Sequence, residues 1–93
     1  MNNLISVVVT CYNHEKYIEQ CLRSVFNQTY TNIELIVFDD GSTDSSTQII
    51  QEVLKDSPFE TRFETHENLG VVNNRNLGLE LIRGDYLLFV DSD

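Results

Sequence analysis

The chain has 93 residues, of which 41 % are hydrophobic, a content typical of one small globular domain. Fifteen acidic residues against six basic ones give a formal net charge of −9, which argues against binding to nucleic acid or to an anionic membrane surface. Apolar runs of about five residues are too short to cross a bilayer, and two cysteines, Cys11 and Cys21, are too few for a disulfide scaffold, so we expect reduced thiols in the cytoplasm.

Four short apolar runs predict strands, and a segment with helical spacing separates each run from the next. The first run is β-branched and stops at polar residues, as a strand buried on both faces of a sheet does. The resulting βαβαβαβ order requires right-handed crossovers and a mostly parallel sheet, so the predicted fold class is α/β. The predicted strands are Leu4–Thr10, Ile33–Phe38, a weaker one over Thr61–Thr65, and Tyr86–Val90.

Each connection between these strands carries apolar residues at helical spacing, which predicts three helices. Asn13 is placed to cap the first helix, because its side-chain oxygen can accept a hydrogen bond from an amide of the first turn. Ser42 or Thr43 is expected to cap the second helix in the same way. The third helix is predicted over Val72–Arg83, with Gly84 placed to end it.

Polar residues follow all four predicted strands, and the carboxyl ends of parallel strands meet at one edge of the sheet. Carboxylates gathered there repel one another unless a cation or hydrogen-bond donors lie among them, and Mg²⁺ or Mn²⁺ on a phosphate-bearing substrate fits such ligands. No glycine-rich phosphate loop follows the first strand, which favours a metal. Helix capping and a solvated terminus remain alternatives for single segments. The four segments are Thr10–Asn13, Asp39–Ser42, Glu67–Asn68 and Asp91–Asp93.

Five motifs occur in order along the chain. Each motif alone is a weak signal, whereas the ordered set is specific. They read SVVVTCYN over Ser6–Asn13, DDGSTD over Asp39–Asp44, NLG over Asn68–Gly70, RNLG over Arg75–Gly78 and GDYLLFVDSD over Gly84–Asp93. This set spans nearly the whole chain and resembles the family 2 glycosyltransferases.

The resemblance implies a GT-A fold, in which this chain forms a three-layer, Rossmann-like half with sheet order 3-2-1-4 and helices on both faces. Residues 1–93 would then be a single domain that binds a nucleoside-diphosphate sugar, such as a UDP-sugar, and stops before the acceptor-binding half. The general base, and the site for a glycan or lipid-linked acceptor in bacterial polysaccharide or cell-envelope glycan synthesis, are expected downstream of Asp93. A cytoplasmic location, peripheral to the inner face of the membrane in the full-length protein, is implied in the same way.

The resemblance also assigns residues to the donor nucleotide. By position, Thr10 and Tyr12 flank the base, and Tyr12 packs against its ring. Asp40 matches the family's aspartate that accepts hydrogen bonds from the base, and Asp39 beside it shapes the turn. Asn13 belongs to the same nucleotide-binding group.

The last two motifs carry the residues expected at the diphosphate and the metal. Arg75 borders the base and the diphosphate, although Asn74 stands before it where the family more often has alanine. Asp91, Ser92 and Asp93 match the DXD motif. Asp91 would approach the ribose or a metal-bound water, and Asp93 would bind the Mn²⁺ or Mg²⁺ that bridges the two phosphates, with Ser92 between them.

Three other kinds of protein share parts of this pattern. A nucleotidyltransferase typically needs a glycine-rich basic loop after its first strand, which this sequence lacks. A phosphoacceptor signalling domain needs a lysine at a late strand end, whereas Lys16 and Lys55 are the only lysines and fall on predicted helices. A non-catalytic nucleotide-binding or assembly fragment remains an alternative. The apolar strand Tyr86–Val90 would be a sheet edge, which predicts a homo-oligomer through that strand.

Overall fold

The computed structural model describes residues 3–65 and 83–91, whose strands form one parallel sheet. In chain order the elements are β1 (Ile5–Cys11), α1 (Ile18–Phe26), β2 (Ile33–Asp39), α2 (Ser46–Val53), a 3₁₀ turn (Leu54–Asp56), β3 (Glu60–Thr65) and β4 (Tyr86–Asp91). The four strands lie in the order β3-β2-β1-β4, which confirms the predicted order 3-2-1-4. No helix within the described ranges is long and apolar enough to span a membrane.

The predicted strands are correct to within about one residue, whereas both described helices begin later than predicted. Asn13 has a φ of 53°, which is left-handed backbone and cannot start a right-handed helix. A turn follows in which the amides of Tyr17 and Ile18 both donate to the carbonyl of His14, and α1 begins only at Ile18. The helix predicted over residues 72–83 lies outside the described residues except for Arg83.

The sheet is buried on both faces over its two central strands, as the apolar runs predict. Alternate residues of a strand point to opposite faces, so β1 and β2 each contribute to two clusters. The larger cluster lies against α1 and α2, and its fully enclosed members include Val9, Leu22, Leu35 and Ile50. The smaller cluster contains Val8, Ile36 and Phe38 on the opposite face. Together the clusters contain all the buried apolar residues of β2.

A carboxylate is buried at the amino ends of the strands, opposite the polar rim. Glu34 on β2 is only 5 % exposed, and its Oε2 accepts hydrogen bonds from the Ser6 hydroxyl at 2.5 Å and the Arg83 amide at 2.6 Å. Its Oε1 accepts from Nε of Arg83 at 3.0 Å. Burial alone would raise the pKa of Glu34, but the hydrogen bonds from Ser6 and Arg83 outweigh it and hold the pKa below its usual range.

Gly84 is required by the close approach of the chain to Ser6 and Leu4. Its amide donates to the Ser6 hydroxyl at 2.9 Å. A Cβ at position 84 would lie 2.7 Å from the Ser6 backbone nitrogen and 2.9 Å from the Leu4 carbonyl oxygen, which is closer than real Cβ atoms approach. Only glycine therefore lets the chain enter β4 this close to β1.

Glu34→Gln is expected to lower the free energy of unfolding at pH 7 by about 2 to 4 kcal/mol, because Ser6 and Arg83 lose a charged acceptor in a buried place. The folded-state pKa of Glu34 lies below its unfolded-state value of about 4.3. The contribution of the ionised carboxylate is therefore present above that value and lost as the pH falls through the folded-state pKa. Urea unfolding followed by circular dichroism between pH 7 and pH 3 measures both effects, and the variant should lose less stability on acidification.

Glu60→Gln is the matched control, because Glu60 also pairs with Arg83, at 2.8 Å, but its side chain is 71 % exposed. An exposed pair of this kind contributes less than about 1 kcal/mol. Equal losses in the two variants would contradict a special role for the buried carboxylate.

Candidate functional site

The carboxyl ends of β1, β2 and β4 form one edge of the sheet, which we call the rim. The register pairs Cys11 with Asp39 and Thr10 with the backbone of Asp91. The amide of Asp40 donates to the Cys11 carbonyl at 2.8 Å, which extends the contact between β1 and β2 by one residue beyond the ladder. The rim thus brings together the segments Thr10–Asn13 and Asp39–Ser42 with the backbone of Asp91.

The candidate residues at the rim differ in how accessible they are. Tyr12 is 43 % exposed, whereas Asp39 and Asp40 are buried and Thr10 is half-buried. Arg75, Ser92 and Asp93 lie outside the described residues, and Asp91 is described by its backbone alone. Within residues 3–65 and 83–91, no three His, Cys, Asp or Glu side chains lie close enough together to hold a metal ion.

Asp39 organises the turn that follows β2. Its carboxylate accepts hydrogen bonds from the amide of Ser42 at 2.9 Å, from the Ser42 hydroxyl, and from the Thr47 hydroxyl at 3.1 Å. Gly41 between them has a φ of 76°, a conformation that favours glycine. Asp39 therefore holds the backbone that carries Asp40, in agreement with a role in shaping the turn.

The prediction that Asn13 caps α1 is wrong, because its side chain contacts the other loop. The Asn13 Oδ1 accepts hydrogen bonds from the amides of Thr43 at 2.8 Å and Asp44 at 3.4 Å. In return, the Asn13 amide donates to the Ser42 hydroxyl at 2.9 Å. Asn13 thus satisfies amides at the entrance to α2 rather than at the start of its own helix.

The prediction that Ser42 or Thr43 caps α2 is also wrong, because both side chains bond to Asn13 in the other loop. The side chains at the entrance to α2 accept from amides at the entrance to α1: Ser46 Oγ from His14 at 3.1 Å, and Asp44 Oδ2 from Glu15 at 3.2 Å. Glu15 in turn accepts from the amide of Ser45 at 3.2 Å. We call these hydrogen bonds between Asn13–Glu15 and Ser42–Ser46 the loop clamp. Each loop thus bonds amides in the turn that precedes the other helix, and neither helix has a capping bond from its own N-cap side chain.

Asp44 is the most strongly bonded carboxylate of the loop clamp. It accepts from the amide of Ser46 at 2.9 Å as well as from Glu15. Burial opposes its ionisation, but the hydrogen bonds from Ser46 and Glu15 outweigh burial and hold the pKa of Asp44 below its usual range. The carboxylate is therefore ionised at neutral pH and complements the positive ends of both helices.

The loop clamp also determines which groups at the rim are available to bind an anion. Free amides at helix N-termini are common phosphate-binding groups. Here the amides of residues 13–15 and 43–46 already donate to side chains. A phosphate at the rim must therefore find its partners elsewhere than in these amides.

Sequence reasoning missed Glu15, Asp44 and Ser46 as organising residues of the site. The signal was present, because capping residues were already predicted near both helix starts. A capping residue read from sequence is assigned to the helix that follows it, whereas the parallel sheet places the two helix starts side by side.

The chain has relatives among known bacterial proteins. It is 47 % identical over 90 residues to an uncharacterized glycosyltransferase of Haemophilus influenzae, a match that covers 97 % of this chain and 36 % of the relative. It is 39 % identical over 92 residues to a teichoic acid poly(glycerol phosphate) polymerase of Staphylococcus epidermidis, which covers 98 % of this chain and 13 % of the relative. The chain thus spans about a third of the Haemophilus relative.

Solved structures share the fold. Staphylococcus aureus TarS 1–349 in complex with UDP-GlcNAc superposes with a TM-score of 0.85 at 36 % identity, over 97 % of this chain and 26 % of that chain. Glucosyl-3-phosphoglycerate synthase from Mycobacterium tuberculosis, in complex with Mn²⁺, UDP and glucosyl-3-phosphoglycerate, superposes with a TM-score of 0.76 at 26 % identity. This match covers 99 % of this chain and 34 % of that chain. The predicted GT-A half is therefore confirmed.

The sequence model of one enzyme family, described as glycosyl transferase family 2, matches residues 6–93. That range contains the rim, the loop clamp and all five motifs. The chain therefore belongs to glycosyl transferase family 2.

Proposed function

We propose that this chain is the donor-binding unit of a family 2 glycosyltransferase and binds a nucleoside-diphosphate sugar, such as a UDP-sugar, at the rim. The observation that supports the proposal is the register of the sheet, in which Cys11, the residue before exposed Tyr12, pairs with Asp39 and bonds to Asp40, and Thr10 lies beside the backbone of Asp91. The complex of TarS with UDP-GlcNAc, at 36 % identity, supports this choice of ligand.

The base would lie between the ends of β1 and β2. Tyr12 offers a ring against which a base can pack, and Thr10 flanks the same place. Asp40 would accept hydrogen bonds from the base, and such a bond to a buried carboxylate discriminates strongly between bases with and without a donor there. Asn13 and Asp39 would contribute by holding these residues in place.

The diphosphate would be held by residues at the far side of the rim. The amides of the loop clamp are already engaged, so a cation is the natural partner for two phosphates here. Asp91 and Asp93, with Ser92 between them, would hold Mn²⁺ or Mg²⁺, since carboxylate oxygens suit both ions. Arg75 would border the base and the diphosphate. The Mn²⁺ in the M. tuberculosis synthase supports a divalent metal, which when bound would neutralise charge on the departing nucleoside diphosphate.

Transfer would require groups beyond residues 1–93. The general base and the site for a glycan or lipid-linked acceptor would belong to the parts of the longer relatives that this chain does not match. The teichoic acid polymerase among the relatives supports a product in the bacterial cell envelope or a surface polysaccharide. A cytoplasmic enzyme at the inner face of the membrane would fit such a product. As a single donor-binding domain, residues 1–93 would bind the donor without transferring the sugar.

Calorimetric titration with UDP and GDP, with and without Mn²⁺, tests the proposal. We expect UDP to bind in a metal-dependent manner. Asp93→Asn should weaken metal-dependent binding by about tenfold or more, since one lost ligand to a divalent ion is expected to cost at least about 1.4 kcal/mol. Asp40→Ala should reduce the preference between UDP and GDP.

Asp56→Asn is the matched control, because Asp56 lies away from the rim and pairs with Arg23 on the surface. It should bind UDP as the wild type does. Failure of every nucleotide to bind would contradict the donor-binding role, and binding that is indifferent to Mn²⁺ and to Asp93→Asn would contradict the metal site alone.

We also propose that a second copy of this chain pairs with the outer edge of β4. That strand ends the described sheet, and its residues Tyr86 and Leu88 are 59 % and 54 % exposed. Leu88 also lines an apolar groove of about 510 Å³ between α1 and β4. Apolar sheet edges of this kind tend to pair with another chain.

Light scattering of the 93-residue protein is therefore expected to give the mass of a dimer or higher oligomer. Leu88→Lys should shift the protein toward the monomer, because a lysine on an edge strand opposes pairing. Gln48→Lys adds the same charge on the exposed side of α2 and should leave the mass unchanged. A monomeric wild type at high concentration would contradict pairing through β4.

A further inference from the structure

We propose that Asn13 is a positioning residue that sets Tyr12 against Asp40 and thereby determines which base the rim accepts. This inference rests on the proposed donor-binding function and adds a determinant of base specificity to it. The residue does not need to touch the nucleotide, because it acts through the backbone on either side of Tyr12.

Both peptide groups that flank Tyr12 are bonded to the turn that follows β2. The carbonyl of Cys11, which precedes Tyr12, accepts from the amide of Asp40 at 2.8 Å. The amide of Asn13, which follows Tyr12, donates to the Ser42 hydroxyl at 2.9 Å. Tyr12 is therefore held from both sides by residues within two positions of Asp40, and its location relative to Asp40 is set by two short hydrogen bonds.

The second of these bonds lies at a sharp turn of the chain. Asn13 has a φ of 53°, so the chain turns directly after the amide that donates to Ser42. Asparagine is one of the few residues besides glycine that adopt this conformation readily. Its side chain then fixes the turn from the other direction, since Oδ1 accepts from Thr43 at 2.8 Å and Asp44 at 3.4 Å.

Position 13 thus has two requirements, a left-handed backbone and a side-chain acceptor of the right length. Aspartate meets both, glycine meets the first alone, and alanine meets neither. Ser42 links Asn13 to the turn after β2, because its hydroxyl accepts from the Asn13 amide and donates to Asp39, the residue before Asp40. Substitutions at positions 13 and 42 should therefore have the same effect on base selection.

The test measures the dissociation constants of UDP, GDP and inorganic pyrophosphate, each with Mn²⁺, for Asn13→Asp, Asn13→Gly, Asn13→Ala and Ser42→Ala. We expect Asn13→Ala and Ser42→Ala to weaken UDP binding by about fivefold to tenfold, as for a lost capping bond or a strained left-handed residue. Pyrophosphate binding should change by less than about twofold, because the diphosphate partners lie outside the loop clamp. The affinity of Asn13→Gly for UDP should lie between those of the wild type and Asn13→Ala. Asn13→Asp should keep the wild-type preference between UDP and GDP.

The ratio of UDP to GDP affinity separates positioning from general stability, since a partly unfolded variant loses all three ligands in proportion. Ser24→Ala serves as the control, because Ser24 bonds within α1 to the Gln20 carbonyl. A wild type that binds no nucleotide overturns the proposed function and this inference with it. A wild type that prefers one base, with the same preference retained in Asn13→Ala and Ser42→Ala, overturns the positioning role alone.

Discussion

The reciprocal hydrogen bonding between the loops after β1 and β2 is the constraint on which the rim depends. Parallel strands bring two helix starts side by side, and each helix start exposes amides that lack partners within the helix. Here the side chains of one loop satisfy the amides of the other, so neither loop can move without breaking bonds in both. Because Tyr12 and Asp40 lie on these loops, the clamp converts two separate turns into one rigid surface.

The two ends of the sheet use buried carboxylates differently. At the amino ends, Glu34 is enclosed by Ser6 and Arg83 and ties the entrance of β4 to β1 and β2. At the carboxyl ends, Asp39 and Asp44 bond to turn amides and hydroxyls, which shapes the rim. The two ends of the sheet thus carry separate hydrogen-bond networks in the described residues.

Membership of glycosyl transferase family 2 fits this division. The described residues supply the surface expected to meet a nucleotide, while the chain spans about a third of the Haemophilus relative. The groove between α1 and β4 and the exposed side chains of β4 lie on the part of the sheet that the described elements leave open. The rim and this open flank are distinct features, so the proposed donor binding and the proposed association through β4 can be tested separately.

The sequence alone determined the element order, the parallel sheet, the strand order through the family resemblance, and the collection of polar residues at one rim. Apolar runs and helical spacing are local properties, and strand direction follows from the crossovers, so these features need no knowledge of side-chain contacts. The sequence also identified Asn13, Ser42 and Thr43 as capping residues, whereas their side chains bond between the two loops. Only the tertiary structure decided that the side chains of each loop bond the amides of the other and that Glu34 is buried beside Arg83, because both depend on residues about 30 to 50 positions apart meeting in space.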